Sequence, residues 1–156
     1  MKKIIYSPGE PSGIGPDLII KLSSSNLWED LKIPIVSIGD PKLFIDRAAL
    51  LKKKIKIIEL ESLNEVSNNS KGLMQIIKVT KCSNTRPGKL YKSNAQYVLD
   101  NLTYSIEQTM QNEGTALVTG PLSKENIISI DKLFTGHTEY IKKITESKDV
   151  LMMLAS

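Results

Sequence analysis

Short apolar runs recur along this chain, separated by turns and by stretches of helical spacing, and that alternation limits the fold more than any other feature. The runs are residues 2–7 (KKIIYS), 33–38 (IPIVSI), 55–60 (IKIIEL), 73–80 (LMQIIKVT) and 115–119 (TALVT). Apolar strands of this length alternating with helices predict an α/β fold with a largely parallel sheet covered on both faces. No internal repeat interrupts the pattern.

Helix signals fall between the runs. Leu18, Ile19 and Leu22 have helical spacing after a turn-rich GEPSGIGP, and Asp40-Pro41 predicts a capped helix over residues 42–51. Ala95, Val98, Leu99, Leu102, Ile106 and Met110 form one stripe at i, i+3, i+4, i+7 spacing, with Ser93 as the expected cap and Gly114 as the stop. Ser123 is the expected cap of a short helix, and Gly136-His137-Thr138 predicts a turn into another. Residues 61–72, rich in Ser and Asn, read as a surface connection. Residues 150–154 (VLMML) read as a central strand, so an unpaired apolar edge and self-association are expected there.

At 156 residues the chain has the size of one domain. It has no apolar run near the roughly 20 residues that span a bilayer, and its start lacks the features of a signal peptide. A single cysteine, Cys82, excludes an internal disulfide and fits a reducing compartment, so a cytoplasmic location is expected. The formal charge is +4, but only Arg47 and Arg86 among the 21 basic residues are arginine. Lys52-Lys53-Lys54 is the one basic run and suits a solvated helix end. No nucleic-acid partner is expected from this distribution, whereas an anionic small molecule is compatible with it.

Three segments carry candidate chemistry. In Gly9-Glu10-Pro11-Ser12-Gly13-Ile14-Gly15-Pro16-Asp17, the glycines permit close backbone approach to a ligand at a helix start, and Gly13 and Gly15 are the ligand-proximal candidates. A plain tight strand-to-helix turn uses the same residues. The glycine spacing, broken by Pro11, is not the dinucleotide fingerprint. In Thr119-Gly120-Pro121-Leu122-Ser123-Lys124, Gly120 and Lys124 stand at the carboxyl end of a strand, where open α/β sheets bind ligands. A solvated lysine accounts for Lys124 equally. Phe134-Thr135-Gly136-His137-Thr138-Glu139 holds the only histidine, which cannot alone supply the three ligands of a catalytic zinc. No G-x-S-x-G elbow or Walker motif occurs, and no residue is assigned as a catalytic nucleophile.

Together, residues 8–18 (PGEPSGIGPDL), 86–90 (RPGKL), 116–125 (ALVTGPLSKE), 134–140 (FTGHTEY) and 150–155 (VLMMLA) resemble the 4-hydroxythreonine-4-phosphate dehydrogenase family in order and spacing. The resemblance implies NAD-dependent oxidation and decarboxylation of 4-phosphooxy-threonine on the path to pyridoxal phosphate. It implies the first half of a two-domain fold like that of isocitrate and isopropylmalate dehydrogenases, acting as a homodimer. His137 and Thr138 match the family's substrate-contacting His-Thr. The resemblance also implies a divalent metal (Zn, Mg or Co) held by three histidines, all beyond this motif and none present here. Residues 1–156 are therefore expected to be the N-terminal part of such an enzyme, inactive alone, or completed by a separate C-terminal half. A non-catalytic ligand-binding or subunit-pairing module, and a paralogue acting on threonate or erythronate phosphate, are the alternative expectations. Asn94-Ala95-Gln96 departs from the family's usual glycine-containing helix start.

Overall fold

The computed structural model describes residues 2–154. Five strands, β1 (Lys3–Ser7), β2 (Ile35–Ile38), β3 (Lys56–Leu60), β4 (Leu73–Ile77) and β5 (Thr115–Thr119), form one sheet in the order β3-β4-β2-β1-β5. Every pairing is parallel, with Ile5 opposite both Val36 and Leu117 at the centre. The helices are α1 (Gly15–Ser23), α2 (Leu27–Asp30), α3 (Pro41–Leu50), α4 (Ala95–Gln111), α5 (Lys124–Ile128) and α6 (His137–Thr145). The α/β architecture is the one expected from the alternating runs.

Alternate residues of each strand feed two different cores, as the two-residue strand period requires. Tyr6, Ile35, Met74 and Ile76 pack with Ile19 and Ile20 of α1, Trp28 of α2, and Phe44 and Ala48 of α3. On the opposite face Ile5, Val36, Ile38 and Ile77 pack with Leu60, Leu63 and Val66, and with Tyr104 of α4. Thus α1 and α3 cover one face and α4 the other. A third cluster joins Leu43, Tyr97, Val98 and Leu99 to Ile127 and Phe134, and so fastens α5 and the approach to α6 onto α4.

Local signals explain most helix ends. The Asp40 carboxylate accepts from the Lys42 N–H, with Pro41 at the first helical position. Ser123 accepts from the Asn126 N–H at the start of α5.

Four expectations need correction. Ser93 does not cap α4, because a 3₁₀ turn over Lys92–Asn94 runs straight into the helix with no capping side chain; the Ser93 hydroxyl bonds that of Ser83 instead. Met110, on the predicted apolar stripe, is exposed in the last turn of α4. The connection over residues 61–72 is not wholly a surface segment, since Leu63 and Val66 are buried in the second core. Residues 150–154 form no strand: they pair with nothing in the sheet, and Leu151 and Leu154 are 86% and 95% exposed. An apolar run supplies side chains for a strand, but a strand exists only where a neighbour satisfies its N–H and C=O groups.

Arg47 on α3, 3% exposed, ties the first helix layer to the loop after β1. Its guanidinium donates to the Pro11 carbonyl at 2.8 Å and the Gly13 carbonyl at 3.0 Å, and it pairs with Asp17. Replacing it with methionine keeps the buried stem but strands two carbonyls and a carboxylate. Arg47→Met is expected to lower the unfolding free energy by about 2–4 kcal/mol in urea titration; a loss below about 0.5 kcal/mol would show that the loop holds itself.

Candidate functional site

All strands run the same way, so the loops after β1, β2, β4 and β5 gather at one end of the sheet. The loops after β1 and β5 are in direct backbone contact. Gly120 N–H donates to the Ser7 carbonyl at 2.7 Å, and Glu10 N–H donates to the Pro121 carbonyl at 3.0 Å. A Cβ on either Gly15 or Gly120 would collide with the Pro8 carbonyl oxygen, so that oxygen demands glycine from both sides. Gly13 lies within the Arg47 clamp, its carbonyl accepting from the guanidinium. Packing against the chain's own backbone therefore accounts for Gly15 and Gly120 without a ligand, whereas a Cβ on Gly13 would meet the Glu10 carbonyl oxygen at 3.1 Å, a tight contact rather than a collision.

Glu10 fixes this junction. It is buried, with Oε1 accepting from the Ser12 N–H at 3.1 Å and Oε2 accepting from Asn126 Nδ2 at 3.1 Å. The same Asn126 amide donates to the Tyr91 carbonyl. Because Asn126 lies in the first turns of α5, this bond sets the position of Lys124 two residues earlier.

Lys124 meets the start of α6. A Cβ built on Gly136 would lie 3.3 Å from Lys124 Cε and 3.5 Å from its Nζ. Gly136 also has φ of +154°, so glycine at this position both admits the lysine stem and permits the turn. His137 and Thr138 are the first two residues of α6, whose N-terminus carries no side-chain cap. An uncapped helix start next to an ammonium group favours an anion, and the chain's own Glu139 carboxylate stands there too, its Oε2 3.5 Å from the same Cβ position. Tyr140 anchors the helix: its hydroxyl bonds Thr103 on α4 at 2.7 Å, and its ring packs 5.4 Å from that of Phe134. Burial, and then the Lys124 charge, lower the His137 pKa from 6.5, so the imidazole is neutral at neutral pH. The structure thus brings Lys124, His137 and Thr138 together, while Gly13, Gly15 and Gly120 belong to the adjoining loop junction.

The Pyridoxal phosphate biosynthetic protein PdxA family model matches residues 30–156. This chain belongs to that family. Among curated relatives, the 4-hydroxythreonine-4-phosphate dehydrogenase of Citrobacter koseri is 34% identical over 156 residues, covering 100% of this chain and 46% of its own length. That of Pseudoalteromonas translucida is 36% identical over 154 residues, covering 99% and 46%. The chain therefore spans about half the length of the curated relatives it matches. Solved structures share the PdxA-family fold: a 4-hydroxythreonine-4-phosphate dehydrogenase from Burkholderia phymatum superposes with a TM-score of 0.89 at 21% identity, over 100% of this chain and 47% of that one. The Klebsiella pneumoniae enzyme gives 0.84 at 24%, over 96% and 46%.

Among the described residues no three His, Cys, Asp or Glu side chains converge as a metal-binding group. The donors present here do not fit the divalent metal that the resemblance implies, and no step is assigned to one. No described helix is long and apolar enough to cross a membrane. Cys82 is a half-buried residue of the β4–α4 loop; burial, with the nearby Asp40 and Glu10 charges, pushes its thiol up to about 12, so it is not a nucleophile at neutral pH.

Reading the sequence alone leaves Glu10, Arg47 and Asn126 unassigned, although they position this region of the chain. A carboxylate flanked by Gly and Pro in a predicted loop is the one local sign of Glu10. Arg47 and Asn126 carry no local signal, because their partners are 34 and 36 residues away for Arg47 and 116 for Asn126.

Two outcomes are expected. Gly120→Ala should cost more than about 2 kcal/mol in denaturant titration, since neither the Pro8 carbonyl nor the β1–β5 ladder can yield. The lowered His137 pKa makes the unfolded chain bind more protons below pH 6.5. Stability contributed there is present above that value and lost as pH falls through it. His137→Gln should flatten the decline in melting temperature between about pH 7 and pH 5.5; an unchanged slope would remove His137 as its source.

Proposed function

We propose that this chain forms the substrate-gripping part of a 4-hydroxythreonine-4-phosphate dehydrogenase, a cytoplasmic NAD-dependent enzyme of pyridoxal phosphate biosynthesis. The observation that carries the reading is the meeting of Lys124 with the uncapped start of α6 at His137 and Thr138. The names of the curated relatives support the substrate, a phosphorylated hydroxy-amino acid.

Each residue has a physical role in this reading. The α6 N–H groups and the Lys124 ammonium receive an anionic group of the substrate. The Thr138 hydroxyl donates or accepts at a substrate oxygen. His137, neutral and partly desolvated, offers one ring nitrogen as donor and the other as acceptor to a hydroxyl or carboxylate. Glu10 and Asn126 hold α5, and so Lys124, in place.

NAD, when bound, would accept the C3 hydride of 4-phosphooxy-threonine as the hydroxyl proton leaves and the C3–O bond becomes a ketone, and the resulting β-keto acid would lose CO₂ from its carboxylate carbon. Residues 1–156 constitute the N-terminal part of the two-domain enzyme in this proposal. The NAD contacts, the divalent-metal ligands and the homodimer or paired half that closes the site are supplied by protein beyond them. The alternatives stated from sequence, a binding module or a threonate or erythronate phosphate paralogue, differ in ligand preference and turnover.

Isothermal calorimetry of the chain with 4-phosphooxy-threonine tests the grip directly. Saturable binding is expected, weakened about tenfold in His137→Ala and in Lys124→Ala, consistent with loss of one charge-assisted hydrogen bond. Binding indifferent to both substitutions would refute this assignment. No NADH formation is expected from the chain alone with added Zn²⁺ or Mg²⁺, and turnover under those conditions would show that residues 1–156 suffice.

A further inference from the structure

The crossovers of this sheet reverse direction between β2 and β4. From β2 the chain passes over α3 to β3, on the face covered by α1. From β4 it returns over α4, on the opposite face, to β5 at the other edge. These adjacent strands therefore send their following loops to opposite faces, which opens a crevice beyond their carboxyl ends. In open parallel sheets this is where ligands bind.

A cavity of about 740 Å³ occupies that crevice, within the usual range for small-molecule sites of about 300–1,000 Å³. It is a preformed space. The Asp40 carboxylate, buried at the end of β2, accepts from the Lys42 N–H at 3.1 Å and from the Cys82 N–H at 2.9 Å. Asn94, fully buried, accepts from the Ser83 N–H at 3.0 Å and from the Ser83 hydroxyl at 2.6 Å. Tyr97 accepts from the Asp40 N–H at 3.1 Å. At the far end of the same loop, the Gly88 N–H donates to the Ser12 carbonyl at 2.9 Å. The β4–α4 loop is thus pinned at both ends, and the segment between arches over the cavity.

The lining defines a ligand chemistry. Leu43, Leu50 and Pro87 offer apolar surface, Lys42 brings an ammonium group from the first turn of α3, and Lys81 brings one from the β4–α4 loop. Both oxygens of Asp40 are used by backbone N–H groups, Asp46 pairs with Lys42, and Arg47 pairs with Asp17. Lys81 has no ion-pair partner among the described residues. Three cations and two carboxylates thus line the cavity, and Lys81 is the cation left outside the ion pairs.

We propose that this cavity is a binding site for a phosphorylated small molecule with a flat or apolar body, of the size of a nucleoside diphosphate. It is separate from the Lys124–His137 cluster, which contributes no residue to its lining.

Titration of the ¹⁵N-labelled chain with ADP, with adenosine and inorganic phosphate as separate arms, tests the proposal. ADP is expected to shift the amides of Lys42 and residues 82–85 saturably, at least tenfold more tightly than either half alone. Lys81→Ala, at an exposed position without structural bonds, is expected to weaken ADP about tenfold with an otherwise unchanged spectrum. His137→Ala is expected to leave ADP affinity unaltered, which separates failure here from failure of the substrate assignment. The proposal is overturned by shifts centred on Lys124, His137 and Thr138, by full ADP affinity in Lys81→Ala, or by no saturation at millimolar ADP.

Discussion

The Pro8 carbonyl is the contact on which the working end of this molecule depends. It lies where β1 stops, and it is approached from one side by Gly15 at the start of α1 and from the other by Gly120 after β5. Neither approach tolerates a Cβ, so α1 and the β5–α5 loop are both placed by one backbone oxygen. Glu10 extends the constraint, because its carboxylate reaches Asn126 and fixes α5 relative to β1. Arg47 extends it the other way, clamping the same loop to α3 through Pro11 and Gly13. The position of Lys124 against His137 is a consequence of this chain of contacts, since α5 has only five residues and cannot orient itself.

The central strands β1, β2 and β4 were legible because a parallel sheet buried on both faces leaves unbroken apolar runs. The Asp40 and Ser123 caps were legible because a cap acts on residues two or three positions away. The errors have the opposite character. Residues 150–154 carry the composition of a strand, but pairing is a property of two segments, and no described segment pairs with them. Ser93 had the right chemistry for a cap, yet the 3₁₀ turn at Lys92–Asn94 leaves α4 without a break to cap. Asn94 is more instructive. It lies in the Asn94-Ala95-Gln96 stretch that departs from the resembled pattern, and it is fully buried, organising the turn at Cys82 and Ser83 through its side-chain oxygen. A departure that looks neutral in sequence is structural in three dimensions.

The candidate site residues divide along the same line. His137, Thr138 and Lys124 were visible because they sit in short motifs at element starts. Glu10, Arg47 and Asn126, which hold them, act across long separations and left no periodic or motif signature. The glycines were visible too, but the reason for them was not: close approach was anticipated to a ligand, and the atom approached is a carbonyl of the chain itself.

The strand order also changes which loops matter. The carboxyl end of β5 suggested a ligand position from sequence, because it ends in Gly120-Pro121 with a lysine nearby. In the sheet β5 is an edge strand, and the reversal of crossover direction falls between β2 and β4. No inspection of the runs in sequence order reveals this, since it arises from β4 inserting between β2 and β3. The two candidate regions therefore have different physical origins. The Lys124–His137 cluster comes from two short helices brought together by backbone packing at Pro8. The Lys42–Lys81 cavity comes from topology, which must part the loops after β2 and β4 whatever their sequences are. What sequence adds there is the pinning by Asp40 and Asn94, which keeps the parted loops from collapsing onto each other, and a lysine, Lys81, that forms no ion pair among the described residues.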